Sequence, residues 1–108
     1  MPPLDLSAPP SVDALGSSTR RAIVQILATR PRAVGEIADR LPISRPAVSK
    51  HLRVLEEASL VQHERRGNRH VFRLDRQGFA AARRWLDAFW DEALDRFRAV
   101  AESDEPVP

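Results

Sequence analysis

Apolar residues recur at helical spacing in five stretches of this chain and alternate in a sixth. Between Ser17 and Thr29, the positions Ala22, Ile23, Ile26 and Leu27 form one stripe of a helix. Ser17 or Ser18 serves as its N-cap and Arg30-Pro31 ends it. A shorter segment, Val12 to Leu15, has Ser11 in capping position and Gly16 as its stop. From about Val34 to Arg40 a third helix buries Val34, Ile37, Ala38 and Leu41, and Leu41-Pro42-Ile43 turns tightly into a fourth. That fourth helix spans 44–57, with Ser44 as N-cap and Pro46 in the first turn, where a missing N–H costs nothing. On a wheel of 100° per residue, Ala47, Val48, Leu52, Val54 and Leu55 share one side. Arg45, Pro46, Ser49, Lys50 and Arg53 share the other.

After Ala58 the period changes to two. Leu60 to Arg66 and Arg69 to Leu74 flank Gly67-Asn68, a two-residue loop that favours a primed hairpin turn. Pairing Arg66 with Arg69 puts Val61, His63, Arg65, His70, Phe72 and Leu74 on one face, and Gln62, Glu64, Arg66, Arg69, Val71 and Arg73 on the other. Asp75 caps a last helix to about Ala101, about 39 Å long at 1.5 Å per residue. Its apolar positions include Phe79, Ala82, Trp85, Leu86, Phe89, Trp90, Ala93, Leu94, Phe97 and Val100. They cover about half of the wheel, wider than the roughly 100° stripe that suffices for docking on one core. The surplus predicts a symmetric contact with a second copy.

The expected fold is mainly α with a small β-hairpin (α+β), a winged helix-turn-helix. Residues 1–10, with Pro2, Pro3, Pro9 and Pro10, are expected to be a disordered tail. The folded unit occupies 11–101, and a disordered acidic tail 102–108.

Composition narrows the function. At 108 residues with 43% hydrophobic and 30% charged positions, the chain suits one small folded domain. Zero cysteines exclude disulfides, thiolate metal sites and cysteine redox switches. No membrane-length apolar run and no signal-peptide pattern are present, so a cytoplasmic protein without a membrane partner is expected. The formal charge of +2 is unevenly spread: residues 1–84 hold 15 Lys/Arg against 8 Asp/Glu, and residues 85–108 hold 2 against 7. A basic front with an acidic back suggests that one surface meets a polyanion.

Double-stranded DNA is the partner these features suit. Short polar groups and cations on a helix with an apolar back fit a major groove, making Ser44, Arg45, Pro46, Ser49, Lys50 and Arg53 candidate contacts. His51 falls on the apolar side of the wheel, between a packed role and a DNA role. Arg65, Arg66 and Arg69 around Gly67-Asn68 make a basic wing (65–69) able to reach a phosphate backbone or a minor groove. His63 and His70 lie diagonally on one hairpin face; two imidazoles without a third donor make a poor zinc site, so packing beside Phe72 is favoured. Asp87, Asp91 and Asp95 recur every fourth residue, a pattern more often a solvated face than a cation site. No catalytic or phosphate-cradling constellation appears, so neither an enzyme nor a cofactor is expected.

Over about Asp13 to Phe97 the chain resembles the ArsR/SmtB family of winged-helix transcriptional repressors. Residues 15–24, 34–38 and 44–55 and the Gly67-Asn68 wing carry the resemblance. It implies a homodimer built from the first and last helices, with Leu15, Phe79, Ala82, Trp85, Leu86, Phe89, Trp90, Ala93 and Phe97 at the interface. It also implies a major-groove recognition helix, an inverted-repeat operator, and a Ser-x-His-Leu pattern that puts His51 at the DNA. The chain departs from the metal-sensing members. Their cysteine box, Leu-Cys-Val-Cys-Asp-Leu-Ala, corresponds to Arg32-Ala33-Val34-Gly35-Glu36-Ile37-Ala38, and no histidine follows His70. The effector, whether small molecule or metal, is therefore left open. The alternative is a winged-helix interaction module that docks a different subunit through the apolar last helix.

Overall fold

The computed structural model describes residues 7–103. Residues 1–6 and 104–108, which include most of the two expected tails, lie outside the described residues. The elements in chain order are α1 (Pro10–Ala14), α2 (Ser18–Thr29), β1 (Arg32–Ala33), α3 (Val34–Ala38), α4 (Arg45–Glu57), β2 (Val61–Arg66), β3 (Arg69–Leu74) and α5 (Arg76–Ala101). This is the mainly helical winged helix-turn-helix expected, with one strand more.

The caps explain most helix starts. Ser17 Oγ accepts the Arg20 N–H at 3.2 Å and Ser44 Oγ the Ala47 N–H at 3.3 Å. Asp75 does the same for Gln77 at 3.0 Å. Ser11 does not cap. Pro10 opens α1 after an extended Pro9, because a proline at the first helical position forfeits no hydrogen bond. Ser11 instead turns inward at 2% exposure, its Oγ without a partner among the described residues.

The core gathers Ile23 and Leu27 of α2, Ile37 of α3, Val48, Leu52 and Leu55 of α4, and Leu60 and Val61 beyond it. Val54, expected with this set, is 39% exposed, because about 120° on the wheel separates it from Val48. Helix α4 ends in a Schellman motif: Leu60 N–H donates to Leu55 O at 2.9 Å and Ser59 N–H to Glu56 O at 3.0 Å. Ser59 takes the left-handed conformation this needs, with φ of 59°.

The hairpin register is as expected, Arg66 opposite Arg69 and His63 opposite Phe72. Gly67 has φ of +63° and Asn68 is not in the positive-φ region, the sign pattern of a type II′ turn. The sequence pattern missed β1. Two residues are too few to alternate, yet Arg32 and Ala33 pair antiparallel with Phe72 and Val71, giving the order β1-β3-β2. Arg32 is only 7% exposed; its guanidinium donates to Thr29 Oγ1 at 3.1 Å, and burial lowers its pKa. This cation therefore does not join the basic surface. Among the described residues no helix is long and apolar enough to cross a membrane.

Candidate nucleic-acid interface

Helix α4 is anchored from behind and open in front. Val48, Leu52 and Leu55 are 0–1% exposed, while Ser44, Arg45, Pro46, Ser49, Lys50 and Arg53 are all exposed. Among the described residues, Arg45, Lys50 and Arg53 take part in no side-chain hydrogen bond or ion pair, so these cations remain available. The Arg45 guanidinium lies over α3, where a Cβ on Gly35 would come within 3.1 Å of it. His51 is partly buried, between its two readings.

The wing is exposed from Gln62 through His70. Its three arginines are not mutually repelling loose ends, because each has an acceptor. Arg65 Nε donates to Gly67 O at 2.9 Å and Arg66 Nε to Glu64 Oε1 at 2.7 Å. Arg69 Nη2 donates to Glu36 Oε1 of α3 at 2.7 Å. Asn68 sits exposed at the turn. A cleft of about 430 Å³ is lined by Arg45, Arg69 and His70 together with Glu36, Asp39 and residues 33–35.

Glu36 is the residue that sequence reasoning passed over. Ala33 has no side-chain acceptor, so only the return half of a capping box forms, with Ala33 N–H donating to Glu36 Oε1 at 3.2 Å. Arg30 Nη2 donates to Oε2 at 3.2 Å. The Ala33 hydrogen bond holds this carboxyl below the ordinary carboxylate range; burial opposes it, and Arg30 and then Arg69 add to the lowering. The signal was present in principle, since Glu36 stands three residues after the N-cap of α3, but Arg69 is 33 positions away.

A second contact joins α4 to the wing. His63 Nδ1 meets Glu56 Oε2. The His63 ring packs edge-on to His70 at 5.3 Å and tilts against Phe72 at 4.9 Å, which is the cross-strand packing expected of this pair. Among the described residues no three His, Cys, Asp or Glu side chains are placed to share an ion. Asp87, Asp91 and Asp95 are exposed, Asp87 at 4.0 Å from Arg83.

The residues expected at a dimer contact divide into two groups. Leu15 and Phe79 pack against the chain's own core and Ala82 is buried at 7% exposure. Trp85 and Phe89 stack at 5.3 Å, with Trp85 Nε1 donating to Ser7 O at 2.6 Å, and Ala93 is partly buried. Leu86, Trp90 and Phe97 are 54%, 61% and 69% exposed, and Val100 is 54% exposed beside them.

A family model described as a helix-turn-helix domain matches residues 15–64. The chain is 52% identical over 91 residues to the HTH-type transcriptional regulator Rv2034 of Mycobacterium tuberculosis, covering 84% of this chain and 85% of that protein. It is similar to the crystal structure of a possible transcriptional regulator for arsenical resistance, at 41% identity and a TM-score of 0.71, over 88% of this chain and 97% of that one. An ArsR-like transcriptional regulator from Rhodococcus sp. RHA1 is 33% identical with a TM-score of 0.69, over 86% of this chain and 92% of that one.

Proposed function

Because the chain belongs to the ArsR/SmtB family of winged-helix transcriptional regulators, we propose that it is a homodimeric, sequence-specific repressor acting in the cytoplasm. It binds an inverted-repeat operator in double-stranded DNA. The observation that carries this reading is the face of α4, where Arg45, Ser49, Lys50 and Arg53 are exposed over a helix whose back is locked in the core. In this reading α4 enters the major groove, Lys50 and Arg53 take base edges or phosphates, and Ser44, Arg45, Pro46, Ser49 and His51 fill in around them. Arg65, Arg66, Asn68 and Arg69 of the wing meet the adjoining backbone. Two copies join through the exposed arc of α5, which supports the pairing because four large apolar side chains there are otherwise left to water.

Fluorescence anisotropy tests it, with a labelled duplex from the gene's own upstream region and a scrambled control, across roughly 50 to 200 mM salt. A preference of about a thousandfold that survives the higher salt supports the reading. Substituting Lys50→Ala and Arg53→Ala together should weaken binding by about 1–3 kcal/mol for each of the two side chains that reads a base. Equal, salt-erased binding to both duplexes, or a double variant of undiminished affinity, would overturn it.

A further inference from the structure

We propose that Glu36 is a positioning residue for the wing. Its carboxylate orients the Arg69 guanidinium so that the remaining donors of that arginine meet a phosphate of bound duplex DNA. The inference rests on the reading that the wing touches the DNA backbone. Three donors from three places in the chain converge on this one side chain: Ala33 N–H at 3.2 Å, Arg30 Nη2 at 3.2 Å and Arg69 Nη2 at 2.7 Å. The first two belong to the start of the helix-turn-helix and fix the carboxylate where it is. The third crosses from α3 to the wing.

Arg69 spends one donor nitrogen on this bond. Its Nε and Nη1 donate to no other described group, and its side chain is 58% exposed. A guanidinium is a planar fork of five donors, so pinning one nitrogen fixes the direction in which the others point. Without the carboxylate, Arg69 would be a long side chain beside a two-residue turn, and ordering it on a phosphate would cost side-chain entropy at the moment of binding. With it, that freedom is already given up in the unbound protein.

The sign of the expected effect separates positioning from plain charge. An acid beside a polyanion repels it, so removing Glu36 would strengthen binding if electrostatics alone operated. Positioning requires the opposite. The experiment uses the full chain and a duplex of highest affinity selected from a randomised library. It compares Glu36→Ala, Glu36→Gln, Arg69→Ala and the double Glu36→Ala/Arg69→Ala variant, with circular dichroism confirming each fold. Glu36→Gln keeps an acceptor oxygen where Oε1 meets both Ala33 N–H and Arg69, so it removes the carboxylate's charge while leaving the bond that positions Arg69.

We expect Glu36→Ala and Arg69→Ala each to weaken binding several-fold and to lower the slope of log affinity against log salt by about 0.9, the value for one phosphate. The double variant should be no weaker than Arg69→Ala alone, because the two act as one unit. Binding that tightens in Glu36→Gln, or that tightens or stays unchanged in a folded Glu36→Ala, while Arg69→Ala weakens it, would overturn the positioning role and leave the wing's role at the DNA standing. An Arg69→Ala variant with unchanged affinity and slope would overturn both.

Discussion

Gly78 donates its N–H to the Ser59 carbonyl at 2.7 Å, and a Cβ on Gly78 would lie 2.5 Å from that oxygen. Helix α5 thus crosses the turn after α4 at a separation only glycine allows. The obstructing atoms are backbone, Ala58 O among them at 2.7 Å, so no rotamer change relieves the clash.

Gly78→Ala should therefore destabilise the chain by about 1–3 kcal/mol, the usual cost of overpacking. Urea unfolding monitored by Trp85 and Trp90 fluorescence measures it at fixed protein concentration. An unchanged midpoint would mean that α5 shifts along the turn freely.

Ser59 tests the same junction from the other side. Its φ of 59° lies in the left-handed region, which costs a residue with a Cβ about 1–2 kcal/mol. Ser59→Gly should raise the unfolding midpoint, gaining less than that full amount because glycine has more freedom to lose. A β-branched residue there should lower it.

Glu36 predicts a pH dependence. Its carboxyl lies below its ordinary value of 4.5 in the folded chain, chiefly through the Ala33 hydrogen bond. The unfolded state therefore binds the proton first as pH falls. The stability contributed is present in full above about pH 4.5 and is lost as pH drops through the depressed folded value. Between about pH 6 and 3 the wild-type midpoint should fall more steeply than that of Glu36→Gln, and parallel curves would refute the assignment.

Trp90 and Phe97 separate a self-pairing surface from a docking site for another subunit. Light scattering of the purified wild-type chain should give a dimer. Trp90→Asp/Phe97→Asp should give a folded monomer, since neither side chain belongs to the core. A wild-type chain that stays monomeric at micromolar concentration would favour the heterologous partner.

The parts of the fold governed by periodicity were legible in the chain. The stripes of α2 and α4, the serine caps at Ser17 and Ser44 and the Arg66–Arg69 register all follow from local patterns. What escaped was set by pairings distant in sequence or by residues too few to form a pattern. The strand at Arg32–Ala33 exists only because β3 offers it an edge. The Glu36–Arg69 bond spans 33 residues, and the Glu56–His63 contact joins a helix to a strand across the Schellman turn. Ser11 misled because a serine before an apolar run reads as a cap, whereas Pro10 already opened the helix without one. In the candidate interface, the exposed α4 face matched the wheel. Within the wing, Glu64 and Glu36 lie beside Arg66 and Arg69, pairings that no local pattern announces.

The pairing of β1 with β3 divides the molecule into a segment of fixed length and one of free length. Arg32 opposes Phe72 and Ala33 opposes Val71, so adding one residue between Thr29 and Val34 would turn Arg32 out of its buried position and slide α3 against the hairpin. A one-residue deletion there has the same fault in reverse. The far end of the same hairpin packs against nothing, since a side chain added at Gly67 would meet no atom within 4 Å and its φ of +63° restricts the residue type rather than the surrounding space. Insertions and deletions accepted during divergence should therefore collect at the hairpin tip and avoid the residues just before α3, a pattern that a survey of related chains would reveal.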